Sequence, residues 1–392
     1  MDLVASSSSS FLSSSSNVFG NLPSELIEDI LIKLPTKDVF RTSIVSRKWI
    51  NAWSTMPKLV LDMSMININH ESMFVEFVDR ALSKWNTLLL DFELTMRTTM
   101  TLSRERLIRT WEQEQIYTVS SHLFSHHKLV CLKLNGCILT LPQNFKGFDM
   151  LKSLHLELVK IPSDKLQSLL LSCTQLQELT LIKLHHCSEI DIRNTRVKHL
   201  KIVGKYKLFN LENQHLISAS INLCFRWDEA DDNLKSIFLC KNLMHLEIGG
   251  RHRFSLPSLM DMKKLETVIF GHSFIHLDSV NNLVSECLHL KKLQILPTAL
   301  LPFGNCPQLK DAAFDITFAY QKLDFEEEYL RLAHNELDLK VLADLQTLVS
   351  LPSTFNHLKN LSLHVWFENL LSEYIAFFFF ERVPAMSELE IK

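Results

Sequence analysis

Histidine and cysteine are the side chains best equipped for chemistry in this chain, seventeen of the first and eight of the second, and their spacing decides whether they do any. His122 and His126 stand at i, i+4, which would put both imidazoles on one helical face, and His185, His186 and Cys187 follow a predicted strand. Zinc needs four converging ligands, or three and a water, and neither cluster supplies the glutamate of an HExxH pattern or a spaced second pair. These histidines read as structural or surface groups. The cysteines, at 131, 137, 173, 187, 224, 240, 287 and 306, form no CxxC pair and sit in or beside apolar runs, as reduced core and turn residues do in a cytosolic or nuclear protein. Eight glycines, isolated except for Gly249-Gly250, build no GxGxxG or Walker-type phosphate cradle, and no GxSxG elbow makes a triad of the scattered Ser, His and Asp. The spacing therefore points to no catalytic residue, no metal site and no cofactor. Association is the chemistry left.

The residues best suited to association run from Asn21 to Leu61. Leu26, Ile27, Ile30, Leu31 and Leu34 recur at helical spacing, with Pro23 near the start of the helix and Pro35 forbidding its continuation. Thr36 can cap a second short helix through Phe40, and Ser46 a third that carries Trp49 and Trp53 at i, i+4. Some 40 residues without disulfide or metal are near the lower limit for an independent fold, so an exposed apolar face here implies a bound partner or a docked neighbouring domain.

The same segment resembles the F-box, the module that docks a chain onto the Skp-type adaptor of a cullin-RING (SCF) ubiquitin ligase. Leu22-Pro23, Ile30-Leu31, Leu34-Pro35, Asp38-Val39, Arg41, Ser43, Val45-Ser46, Trp49, Trp53 and Pro57 fall where that pattern expects them. The resemblance implies an adaptor-binding surface drawn from Leu22, Pro23, Leu26, Ile30, Leu31, Leu34, Pro35, Val39 and Val45. Trp49 and Trp53 would complete the groove or pack against the following domain.

Composition bounds the rest. Of the 392 residues, 46% are hydrophobic and 22% charged, which is ample for a large core and excludes disorder throughout. A net charge of -3 gives no electrostatic reason to expect nucleic acid or an anionic membrane as partner. The Ser-rich stretch 1–20 lacks a basic start and a sustained apolar run, so it reads as a disordered tail rather than a secretory signal. The oily run from Ile375 to Phe380 is too short to span a bilayer.

From residue 129 a six-residue unit with apolar residues at positions one, four and six keeps returning: LVCLKL at Leu129, LKSLHL at Leu151, LQELTL at Leu176, VKHLKI at Val197, LISASI at Leu216 and LMHLEI at Leu243. It continues as LETVIF at Leu265, LKKLQI at Leu290, LKDAAF at Leu309, LKNLSL at Leu358 and MSELEI at Met386. Starts lie 19 to 28 residues apart except for one gap of 49, and the period is that of leucine-rich repeats. Positions four and six alternate as a strand does, so both point inward and the residue between them faces out. One such strand cannot hide its leucines alone; stacked in parallel, the units bury a continuous ladder.

The expected fold is an α/β solenoid, a short N-terminal helical F-box followed by a curved leucine-rich-repeat array with a parallel sheet on the concave face. Its expected parts are the tail at 1–20, the F-box at 21–61, a linker and N-terminal cap of the solenoid at 62–128, and repeats at 129–392 with an insertion or degenerate repeat about 315–355. Within the cap, Phe74 to Trp85 reads as an amphipathic helix and Thr87 to Leu94 as a strand. Together with the F-box, MFVEFVDRALSKWNTLLLDFEL and LVCLKLNGCIL resemble the large plant F-box/leucine-rich-repeat group, whose members often end in an FBD domain. Here the sequence stops at Lys392 on MSELEI, with no recognisable FBD segment.

That resemblance implies a non-catalytic substrate-recognition subunit of an SCF-type E3 ubiquitin ligase in the nucleus and/or cytoplasm. It would hold a Skp-type adaptor, and through it the cullin-RING, at the F-box, and an unknown client protein on the repeats. Candidate client contacts are the outward residues Lys133, His155, Thr180, Lys201, Glu247, Ile269 and Gln294. A leucine-rich scaffold or inhibitor, its helical end merely capping the solenoid, is the other reading the same residues allow.

Overall fold

A strand that buries two side chains on one face needs a neighbour on each side, and the backbone of this chain is organised around supplying one. The computed structural model describes residues 22–34, 49, 56–63, 71–85, 88–96, 116–223, 235–249, 253–254, 262–271, 274–275, 286–287, 289–298, 311–317, 360–366 and 388–391. The chain divides into two compact units, Met1–Leu176 with Leu184–His186, and Gln177–Lys183 with Cys187–Lys392. Both repeat one pattern, that of an α/β solenoid of leucine-rich repeats.

The first unit holds the helices α1 (Ser24–Lys33), α2 (Glu71–Lys84) and α3 (Ser163–Ser172) and the strands β1 (Lys58–Asp62), β2 (Asp91–Thr95), β3 (Cys131–Asn135) and β4 (Ser153–Glu157). The four strands pair in parallel, in chain order and without a register slip. Leu59 and Leu61, Phe92 and Leu94, Leu132 and Leu134, and Leu154 and Leu156 point inward and are buried. The ladder thus opens at Lys58 rather than at 129. Two early units are hard to read because Met56 and Phe92 stand where later repeats carry leucine: MPKLVL and LLDFEL keep the alternation but not the signature. Helix α2 buries Phe74, Val78, Ala81 and Leu82 on one stripe, and the Tyr117 hydroxyl donates to Asp79 Oδ1 at 2.7 Å.

The second unit runs through β5 (Glu178–Ile182), β6 (Glu189–Asp191), β7 (His199–Gly204), β8 (Leu208–Asn210), β9 (Ser218–Leu223), β10 (His245–Gly249), β11 (Arg253–Phe254), β12 (Thr267–Gly271), β13 (Phe274–Ile275), β14 (Lys292–Thr298), β15 (Asp311–Thr317), β16 (Asn360–Trp366) and β17 (Glu388–Ile391). Its parallel sheet has the order β5-β7-β9-β10-β12-β14-β15-β16-β17, and the short pairs β6-β8 and β11-β13 lie outside it. Strands β15 and β16 pair directly over seven residues, so the long gap in the repeat spacing adds no strand between them. It is an insertion.

Three backbone devices recur at the junctions between repeats. On entry, the amide of the leading leucine bonds the carbonyl three residues back, as Leu176 does to Cys173 at 3.1 Å and Leu243 to Cys240 at 3.1 Å. One carbonyl of the preceding repeat then accepts two successive amides of the next: Leu90 O from Val130 and Cys131, Lys198 O from Ile217 and Ser218, Met244 O from Glu266 and Thr267. On exit, two residues past the last inward side chain, the backbone turns left-handed at Gly136 (φ 73), Leu158 (φ 50), Lys183 (φ 48) and Gly204 (φ 150). Only two of these four are glycine, so Leu158 and Lys183 carry strain that ordinary residues avoid.

The return segments need partners for their own backbone groups. In the first unit Thr118, Ile138, Lys160 and His185 bridge in series as a second parallel ladder. In the second, Asn213 is buried and donates its side-chain amide to Ile192 O at 2.8 Å, Thr195 O at 3.1 Å and Thr195 Oγ1 at 3.1 Å. Cys240 adds to the same junction, donating its thiol to Leu211 O at 3.2 Å and accepting from Asn213 N at 3.3 Å. Burial pushes this thiol up to about 11, and that of Cys137 up to about 12.

Two substitutions test this account. Gly147 sits at φ 111, where an added Cβ would run into the Ser172 carbonyl at the end of α3, so Gly147→Ala is expected to lower unfolding stability by about 2 kcal/mol or more in urea titrations. Asn213→Leu, which takes one donor from each of the Ile192 and Thr195 carbonyls and the acceptor from the His215 amide, should cost a further about 1–3 kcal/mol on the same scale, and a loss within experimental error would show that the junction is not stabilised there.

Candidate protein-docking surfaces

Helix α1 is short enough that its faces can be assigned residue by residue. Pro23 precedes it, and it ends at Leu34, whose amide bonds Ile30 O at 3.1 Å and Leu31 O at 3.3 Å and whose backbone is already extended, as the following Pro35 demands. The broad apolar face read from sequence divides into two stripes. Ile27 and Leu31 are buried, while Leu26 remains 49% and Ile30 37% exposed. Pro23 is exposed, and Leu22 and Leu34 are half-buried. Trp49 is buried. Pro35, Val39, Val45 and Trp53 lie outside the described residues. Helical periodicity alone could not separate the stripes, since neighbouring positions 26/30 and 27/31 are equally apolar.

The outward candidates fall into line through strand register. In the first unit the middle row reads Val60, Glu93, Lys133, His155. In the second it reads Thr180, Lys201, Ser220, Glu247, Ile269, Gln294. Parallel pairing thus brings the separate motif positions together, and adds Val60, Glu93 and Ser220, which the sequence reading passed over. Ser220 was legible as the fifth residue of LISASI; Val60 and Glu93 were hidden with their strands.

The two rows differ in electrostatics. Lys133 lies 3.7 Å from Glu93, and His155 3.6 Å from Glu157, which also accepts from Asn135 Nδ2 at 3.1 Å. These half-exposed pairs contribute little to stability, about 0–1 kcal/mol each, but they leave the charges of this row mutually satisfied. In the second unit Ser220 Oγ donates to Glu247 Oε2 at 2.8 Å, and Lys201 and Glu247 form no ion pair among the described residues.

Comparison with known proteins follows the same division of the chain. Residues 19–61 match the model of the F-box domain, and residues 102–220 match one described as "FBD-associated F-box protein At5g56370, LRR repeats". Three similar proteins come from Arabidopsis thaliana. F-box/FBD/LRR-repeat protein At1g13570 is 28% identical over 72% of this chain and 69% of its own length. FBD-associated F-box protein At5g27750 is 26% identical over 79% and 81%, and F-box/LRR-repeat protein 13 is 28% identical over 46% and 44%. The chain is thus similar to plant F-box/leucine-rich-repeat proteins. Among solved structures, an internalin from Listeria monocytogenes aligns over 94% of both chains at 14% identity and a TM-score of 0.42.

The F-box match covers α1, Trp49 and most of β1, so the matched segment runs straight into the first described strand of the ladder. No helix of the described residues is long and apolar enough to cross a membrane. Nor do three or more His, Cys, Asp or Glu side chains gather as metal ligands among them. His186, exposed at φ 60, points its backbone through a turn, and the Cys187 thiol is spent on Glu189 O at 3.4 Å.

The histidines that are buried have a different role. Burial holds His126 and His185 below the ordinary imidazole value of 6.5, and neighbouring imidazoles push the same way. His126 also receives an opposing, weaker contribution from a bond to the Leu82 carbonyl, and its Nε2 is buried without a hydrogen-bond partner among the described residues. Because the folded state resists protonation more than the unfolded chain, stability is full above pH 6.5 and declines as pH falls below it. Melting temperature is therefore expected to drop as pH falls from about 7 toward about 5, and the variant His126→Gln/His185→Gln to drop less steeply over that range.

Proposed function

We propose that this chain is the substrate-recognition subunit of an SCF-type (Skp-cullin-F-box) E3 ubiquitin ligase, taking a Skp-type adaptor on its F-box and a client protein on the outward rows of its repeats, in the nucleus and/or cytoplasm. The observation that carries the reading is the uncovered Leu26–Ile30 stripe beside Pro23, in a segment that matches the F-box model. Half of α1 is committed to the chain's own interior through Ile27 and Leu31, so the helix is anchored while its second apolar stripe is left to an outside protein. A receptor of this kind breaks and makes no bonds. It raises the local concentration of a client lysine near the ubiquitin-charged enzyme that the cullin-RING brings, and the rate gain is one of proximity.

Within the F-box the working contacts are then Pro23, Leu26 and Ile30, supported by Leu22 and Leu34 at the helix ends. Leu31 and Trp49 act from inside, by fixing the helix. The two roles separate experimentally. Leu26→Asp and Ile30→Asp are each expected to weaken co-purification with a Skp-type adaptor by about tenfold or more while leaving the melting temperature unchanged, whereas Leu31→Asp should lower the melting temperature itself. Adaptor binding undiminished in both surface variants would remove α1 from the contact. A wild-type chain that assembles with adaptor, cullin and RING but directs no ubiquitin to any co-purifying protein would remove the ligase role.

A further inference from the structure

Taking the outer sheet face of the second unit as the place where a client is held, which rests on the proposal above, the side chains there specify what kind of client segment fits. Strand register turns the face into three rows. The first is Glu178, His199, Ser218, His245, Thr267 and Lys292; the second Thr180, Lys201, Ser220, Glu247, Ile269 and Gln294; the third begins Ile182, Val203, Asn222, Gly249, Gly271. Charged side chains stand on the first two rows and apolar ones on the second and third. Lys201 and Glu247 are both exposed on the middle row, two strands apart, and Ile269 lies one strand further on.

Neither charge is spent internally. In the first unit the corresponding Lys133 and His155 already face carboxylates of their own sheet, whereas Lys201 has Thr180 and Ser220 as its register neighbours, and Glu247 accepts one hydroxyl on Oε2 alone. A charge facing solvent without a partner is one an incoming group of opposite sign can use without first breaking a bond.

The third row supplies a second, independent feature. A Cβ at Gly249 would press on the Asn222 carboxamide at 3.2 Å, so that glycine is explained by its neighbour. Among the described residues a Cβ at Gly271 would meet only the Gly249 Cα, at 4.0 Å, and its backbone is not left-handed. Nothing among the described residues requires glycine there. The consequence is a low place on the face, one side-chain height deep, next to the half-exposed Ile269.

We infer that the client presents to this face a segment crossing the strands from β7 toward β12, with a carboxylate opposite Lys201, a lysine or arginine opposite Glu247 about 10 Å further along, and a bulky apolar side chain about 5 Å beyond that, seated over Gly271 against Ile269. The spacings are those of parallel strands about 4.8 Å apart. Charge order fixes the direction in which the segment lies, and the apolar seat fixes its register.

The experiment pans a display library of random peptides of about twelve residues, long enough to cross these strands when extended, on the full chain bound to its adaptor. Enriched peptides should carry the order acidic, basic, large apolar. Their affinity should fall about tenfold or more on Gly271→Leu, which fills the seat, and on Lys201→Glu, and recover on Lys201→Glu when the peptide's acidic residue is exchanged for lysine. Melting curves report that both variants stay folded, and Lys201→Glu, at an exposed position, keeps the test alive should Gly271→Leu disturb the sheet. No enrichment over an unrelated bait, enriched peptides without that order, or enriched peptides that bind both variants undiminished would each overturn the inference. Adaptor capture is measured on the same samples, so failure of the ligase reading shows separately as loss of adaptor from the wild-type chain.

Discussion

The constraint on which everything else in this protein rests is that no repeat can bury its own strand. Leu132 and Leu134 are buried because β2 and β4 flank β3, and each flanking strand depends in turn on its neighbour. Stability is therefore a sum of junctions, and the junctions are mainly backbone: a carbonyl that accepts two amides of the next repeat, a tight bond that starts each strand, a left-handed residue that ends it. Side chains act where the backbone leaves groups over. Asn213 and Cys240 fill one such place, and both are small enough to stay buried while bonding main chain. Full burial also keeps their chemistry quiet, since a thiol raised by desolvation is a poor nucleophile and a poor metal ligand.

A fold held by inward residues and backbone leaves its outward residues unconstrained. That freedom is what a recognition surface needs, and the chain uses it unevenly. In the first unit Lys133 of the middle row already faces Glu93, and His155 lies 3.6 Å from Glu157. In the second, charge is left open at Lys201 and Glu247, and a side chain is withheld at Gly271 although nothing among the described residues asks for it. Rim charges with internal partners contribute little to binding, because the partner's bond must be broken before a new one forms. On the proposed function, discrimination between clients would arise in the second unit.

Much of this was legible in the amino-acid order, for reasons that also explain what was not. LxxLxL specifies strand, inward face and outward residue at once, so the strands from Cys131 onward and the candidates Lys133, His155, Thr180, Lys201, Glu247, Ile269 and Gln294 could be placed by counting. Where Phe92 replaces leucine, burial is the same but the signature disappears, and Met56, in the leading position, is only half-buried, so the start of the described ladder at Lys58 was masked. The left-handed exits at Leu158 and Lys183 carry no glycine to announce them; tertiary pairing imposes that conformation against local preference. Likewise the spacing of starts could not tell a missing repeat from an insertion between Thr317 and Asn360, because only pairing of β15 with β16 decides it. For α1 the limit was periodicity itself. Leu26, Ile27, Ile30, Leu31 and Leu34 define one broad face, and only packing tells which part, Ile27 and Leu31, is committed to the interior.

The division within α1 bears on how a receptor of this kind can work without a moving part. A helix that gave all its apolar residues to a partner would have to fold on binding, and ordering it would cost about 1–2 kcal/mol of backbone entropy per residue, taken from the affinity for the adaptor. Anchoring through Ile27 and Leu31 removes most of that cost beforehand, so the contacts of Leu26 and Ile30 count in full toward binding. Proximity then asks for nothing more than simultaneous occupancy. On the proposed function, the adaptor stripe and the rows of Lys201 and Glu247 would share no residue, and no coupling free energy between them would be required for a client to be held within reach of a transfer enzyme. Selectivity would then reside in the client face alone, in which charges are left unpaired and which positions are left bare.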